Sequence, residues 1–202
     1  MHYSNDYLHN LANFPFGFGK EWLGKSNYDV LLETNEKRGG DLSRFIELID
    51  ATDNLKASLM DESSGPMTVF CFVNDALSEA SWRNRSGYSA LLGSNNGTEN
   101  DLLFVRGNAT STSIDPSSEL YQMLLNHIIS KNFVRHIWTM IPGGQKVSDT
   151  KLRFVTSARQ LIDLVIEPGK PVVINGEATV IQEDILSEQG VVHVLNRPLY
   201  LN

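Results

Sequence analysis

Gly190-Val191-Val192-His193-Val194-Leu195-Asn196-Arg197-Pro198-Leu199-Tyr200-Leu201 is the stretch whose reading decides the fold. It begins as a β-branched run interrupted by one histidine and ends near Pro198, which cannot donate to a strand ladder and so marks an edge or a break. The stretch therefore reads as one buried strand. A second run of the same kind lies far upstream, Met67-Thr68-Val69-Phe70-Cys71-Phe72-Val73-Asn74-Asp75-Ala76-Leu77. It starts apolar and ends on short polar residues suited to starting a helix. Two strands so distant in sequence are useful only if they meet in one sheet.

Working outward, Leu124-Leu125-Asn126-His127-Ile128-Ile129 forms an apolar helix-like segment. Val173-Ile174-Asn175-Gly176 is followed shortly by Glu183-Asp184-Ile185-Leu186. Taken in chain order, these segments resemble the signature segments of the fasciclin domain family, an adhesion-type module, over roughly Gly40 to Leu201. One departure is local: Cys71-Phe72 stand where the family usually has Ala-Pro. The resemblance implies an α+β fold, a single fasciclin-like domain with N-terminal helices packed on a twisted, mostly antiparallel β wedge or sandwich. It also implies contact roles for Asn126 and His127, at the family's Tyr-His motif, and for Asp184 and Ile185, at its second proposed adhesion motif.

Composition bounds the alternatives. The chain has 202 residues, 41% of them hydrophobic and 20% charged, the proportions of one ordinary globular domain. Its formal net charge of -7 works against a phosphate backbone, so nucleic acid is not expected as a partner. The single cysteine, Cys71, excludes an intrachain disulfide and reads as a small buried hydrophobe inside a strand. No run approaches the roughly eighteen apolar residues of a membrane span. Met1 to Asp6 lacks a secretory signal pattern and Asn202 closes no hydrophobic tail, so the expected extracellular, cell-surface or vacuolar-lumen address would need a signal that this sequence does not carry. Three glycosylation triplets, at Asn84, Asn96 and Asn108, crowd into one polar segment and favour the secretory pathway.

Residues 1–38 are rich in aromatics, glycine and asparagine and read as an irregular arm, with the domain proper at 39–202 and a polar insertion at 80–114. After Gly39-Gly40, Asp41 is the expected cap of a helix carrying Leu42, Phe45, Ile46 and Ile49, and Asn54 that of a short second one. Leu102 to Val105 could add a strand within the insertion. Asp115-Pro116 suits the start of the helix that leads to His127. From Gly143 onward the pattern is β, with Asn175-Gly176 as a hairpin turn because both residues tolerate positive φ, and Glu167 to Pro171 as a second turn.

Chemistry is sparse. The five histidines, at 2, 9, 127, 136 and 193, show no metal-ligand pairing, and phosphate-loop, dinucleotide and nucleophile-elbow patterns are absent. Glu183 and Asp184 are adjacent, so an extended backbone would send them to opposite faces. His193 within its valine run reads as a core or edge residue, with a ligand or pH-sensing role as the alternative. His127 likewise has a structural reading beside its contact role. No catalytic residue, metal or cofactor is expected. The function expected is cell adhesion or protein interaction. The rival is a small-molecule or lipid carrier with an apolar pocket under the arm.

Overall fold

The structure, a computed structural model, describes residues 24–64, 66–77, 114, 116–130, 145–148 and 150–199. The aromatic run at Phe14 to Trp22, the three glycosylation triplets and the Leu102 to Val105 strand lie outside these residues.

Four α-helices are described: α1 Asn27–Lys37, α2 Ser43–Asp50, α3 Asp53–Met60 and α4 Glu119–Asn126. The reading of residues 1–38 as irregular fails over its last part, where α1 stands. Ser26 accepts the Asp29 amide while Asp29 accepts the Ser26 amide, a reciprocal cap at 3.1 and 3.0 Å. Tyr28, Val30 and Leu31 then bury themselves against the domain, where α1 packs on α2, α3 and the C-terminal strands. A cap closed by aspartate rather than glutamate, ahead of a weakly periodic stretch, gives little sequence signal.

Two expected caps are also corrected. Asp41 is drawn instead to the Arg38 guanidinium, 2.7 Å away, and the acceptor for the second amide of α2 comes from across the domain: Asn74 Oδ1 receives Arg44 N–H at 3.0 Å. The Asn74 amide group donates in turn to the Gly40 carbonyl and the Ser43 hydroxyl, at 2.9 and 3.0 Å, so this residue ties the end of the first signature strand to the start of α2. Asn54 lies inside α3, whose N-cap position is Thr52. The Thr52 hydroxyl bonds back to the Ile49 carbonyl at 2.7 Å and caps nothing. The helix toward His127 starts after Ser118, which accepts the Tyr121 amide at 3.2 Å, because Pro116 and Ser117 are spent on a turn.

The strands are β1 Met67–Phe72, β2 Ile128–Ser130, β3 Gln145–Ser148, β4 Lys151–Val155, β5 Leu161–Val165, β6 Val173–Ile174, β7 Ala178–Leu186 and β8 Gly190–Leu195. They form a sheet in the order β2-β1-β8-β7-β6-β5-β4-β3. The two signature runs do meet: β1 and β8 pair in parallel from Met67 opposite Gly190 to Phe72 opposite Leu195. Every residue of both strands is buried, which is why each reads as a continuous apolar run rather than an alternation. The other six described pairings are antiparallel. The fold is α+β, with helices first and a mixed, mostly antiparallel sheet.

Phe45 of α2 meets Phe72 of β1 edge-on at 5.1 Å between ring centres, joining the helical layer to the central strands. Each such fully buried ring contributes on the order of 2 kcal/mol. Between β6 and β7, Asn175 and Gly176 take φ of 52° and 73° and the Glu177 amide closes their turn on the Ile174 carbonyl at 3.1 Å. The turn at Glu167 to Pro171 also forms, with Gly169 at φ 74°.

Candidate functional site

His127 is the C-cap of α4 and leads straight into β2, so its ring is carried to the centre of the domain, fully buried. Nδ1 donates to the Met123 carbonyl at 2.8 Å, and Nε2 accepts the Leu199 amide at 2.8 Å. The ring is therefore neutral with its proton on Nδ1, and burial pushes its pKa down to about 4. Phe45 and Phe72 lie against it, with ring centres at 5.9 and 5.3 Å. Asn126 is buried beside it. Its Oδ1 accepts the Thr156 hydroxyl at 2.9 Å and its Nδ2 reaches the Leu199 carbonyl at 3.5 Å. Together the two side chains clasp the backbone of Leu199, just beyond Pro198, and so pin the segment after β8 to α4 and to the turn after β4.

Asp184 and Ile185 sit elsewhere, on β7. The register runs from Gln182 opposite Val194 to Ile185 opposite Val192, so Glu183 and Asp184 together face His193 in a bulge. The alternation expected of an extended pair breaks here, because Asp184 takes φ 58°. Its amide points inward and donates to His193 Nδ1 at 3.1 Å. The bulge leaves Glu183 exposed and Asp184 and Ile185 half-buried. His193 itself is fully buried, stacked on Phe70 with ring centres 5.5 Å apart.

The four candidate contact residues thus form two separate nodes. Of these, only the Asp184–Ile185 bulge offers side-chain surface to a partner; Asn126 and His127 are enclosed. Neither ring nitrogen of His127 is free for proton transfer, and among the described residues no three His, Cys, Asp or Glu side chains gather as a metal site. Cys71 is buried, its thiol donating toward the His193 carbonyl at 3.5 Å, and burial raises its pKa to about 12. No described helix is long and apolar enough to cross a membrane. The short polar residues ending the first signature run, Asn74 or Asp75, read as accepting from the next turn's backbone; the Asn74 side chain instead makes three bonds at the start of α2, and sequence reasoning missed the bond from Asp184 to His193. Only the tolerance of aspartate for left-handed backbone hints at that bond.

A family model described as the fasciclin domain matches residues 40–201, most of the chain and all of the elements from α2 to β8. The chain belongs to the fasciclin domain family. Helix α1 precedes the match yet packs against the domain's core. Among solved structures, the chain is similar to a FAS1 domain pair from the insect cell adhesion molecule fasciclin I, with 13% identity and a TM-score of 0.47. That match covers 79% of this chain and 47% of the other, so the chain spans about half the length of the solved protein. No curated protein matches it.

Proposed function

We propose that this fasciclin domain is a non-enzymatic module for cell adhesion or protein–protein interaction, working at a cell surface, in a matrix or in a vacuolar lumen. The observation that supports this most is membership of a family of adhesion-type domains over residues 40–201. The engagement of both His127 ring nitrogens in main-chain bonds is in keeping with a scaffold rather than a reaction centre. Asn126 and His127 hold the scaffold's shape, so their share in binding is indirect. Asp184 and Ile185 are the members of the candidate set able to touch a partner. Attachment of glycans at Asn84, Asn96 or Asn108 belongs to the same reading.

The test is intact mass, with and without glycan-removing enzyme, on the native protein recovered from its own cell together with its cell fraction. Mass lost from a secretory, surface or vacuolar fraction is the expected result. A bare chain in the cytosol would overturn this reading.

A further inference from the structure

An antiparallel sheet with one face on the core ordinarily alternates apolar inside with polar outside. The β4–β5 hairpin does so only in its middle. Inward go Leu152, Phe154, Ile162 and Leu164, all buried. Outward go three cross-strand pairs: Val155 with Leu161, Arg153 with Asp163, and Lys151 with Val165. Val155 and Leu161 are 53% and 52% exposed, two branched aliphatic side chains side by side in water. A lone exposed aliphatic residue needs no explanation, but a cross-strand pair beside fixed charges forms a patch.

The charges are ordered and unequal. Asp163 Oδ1 accepts Arg153 Nε at 2.6 Å, while its Oδ2 accepts Arg153 Nη2 at 2.9 Å and pairs with Lys151 Nζ at 2.8 Å. The Asp163 carboxyl is held down at about 2 by these donors, the Arg153 bond foremost, so it stays ionised at any physiological pH. One carboxylate thus fixes two cations, so Lys151, Arg153 and Asp163 together carry one positive charge on a chain whose total is -7. Asp163 spends both oxygens in doing so. The ammonium keeps donors to offer, and the guanidinium, held in place by Asp163 on its Nε/Nη2 edge, keeps its Nη1 side for an incoming carboxylate.

We infer that the outward face of β4–β5 is a docking surface for an extended segment of a partner protein that places an acidic side chain between aliphatic ones at alternate positions. The spacing follows from the sheet: Val155, Arg153 and Lys151 lie two residues apart on one strand, about 7 Å from one to the next, which matches alternate side chains of another extended chain. The partner's carboxylate meets Arg153 and Lys151, and one of its aliphatic groups covers Val155 and Leu161. Charge complementarity selects this occupant, because a basic or neutral segment would leave the excess cation uncompensated. This surface names the contact through which the proposed interaction function would act, and it rests on that reading.

The test titrates the full chain, isotope-labelled for amide NMR, with a synthetic blocked peptide alternating leucine and glutamate with serine spacers, beside versions carrying lysine or glutamine for glutamate. Shifts confined to amides of Lys151–Val155 and Leu161–Val165 are expected with the glutamate peptide, falling as salt rises. Arg153→Gln, at a half-buried side chain, and Leu161→Ser, at an exposed one, should each weaken binding by about tenfold. Equal binding of the lysine peptide, shifts elsewhere, or none at all overturns the inference. So do shifts of these amides with protein concentration alone, which would assign the face to a second copy. A cytosolic, glycan-free native protein would defeat the adhesion reading, whereas the titration decides the docking face by itself.

Discussion

Gly190 stands at the head of β8, directly opposite Met67 of β1, and its substitution by alanine is the sharpest test of how the two signature strands meet. A Cβ built there falls 1.8 Å from the Met67 carbonyl oxygen and 2.9 Å from its carbon. Contact shorter than 3.0 Å is not sustained by real Cβ atoms, so the strands must part by about 1.2 Å, the difference between 3.0 and 1.8. Both atoms belong to backbone in a fully buried parallel pair, so no side chain can swing aside. The Met67 amide bond to the Gln189 carbonyl at 2.9 Å is lost first, and the Ser187 amide bond to the Gly190 carbonyl at 3.0 Å is strained with it. One or two such bonds at about 1 kcal/mol each, plus about 1–3 kcal/mol of overpacking, give a loss of roughly 2–5 kcal/mol. That is a large part of the roughly 5–15 kcal/mol that holds a domain folded. Urea unfolding followed by far-ultraviolet circular dichroism reads the change. Gly169→Ala is the control: it sits at φ 74° with nothing within 4 Å of the added methyl, so only the left-handed backbone penalty of about 1–2 kcal/mol applies. A loss below about 1 kcal/mol at Gly190, or one no larger than at Gly169, would refute the close approach of β1 and β8.

His127 and Asn74 offer two further tests. The folded-state pKa of His127 is about 4 against an ordinary 6.5, so the unfolded chain takes up a proton that the folded chain refuses. Its contribution is complete above pH 6.5 and drains away between 6.5 and about 4. The loss is roughly 3 kcal/mol at most, at up to about 1.4 kcal/mol per pH unit. The urea midpoint of the wild type should therefore fall more steeply from pH 7 to 5 than that of His127→Gln, and parallel slopes would contradict the buried neutral ring. Asn74→Ala removes the acceptor for the Arg44 amide and the two donors that hold Gly40 and Ser43, and should cost about 1–2 kcal/mol by thermal or urea unfolding. An unchanged midpoint would show that α2 needs no cap from β1.

The central pair of strands was legible because burial on both faces leaves an uninterrupted apolar run, and the Asn175-Gly176 turn because positive φ selects those residue types. What stayed illegible was long-range. Asp41 looked like a cap by position, but a neighbouring guanidinium claims it, and the acceptor comes from Asn74, far along the chain. Helix α1 was hidden because its stability comes from burial of Tyr28, Val30 and Leu31 on α2, α3 and the C-terminal strands, not from its own pattern. The candidate residues were found by family resemblance, yet no one-dimensional pattern says that His127 turns inward to hold Leu199 or that the Asp184 amide turns toward His193. The β4–β5 face was equally silent, since Val155 and Leu161 become neighbours only once the register is set.

Attachment of source-organism cells to surfaces coated with the full chain tests the interaction reading most directly. Attachment above that of uncoated surfaces, reduced by Arg153→Gln and Leu161→Ser, is the predicted result. Equal attachment to coated and uncoated surfaces at every coating density would contradict it.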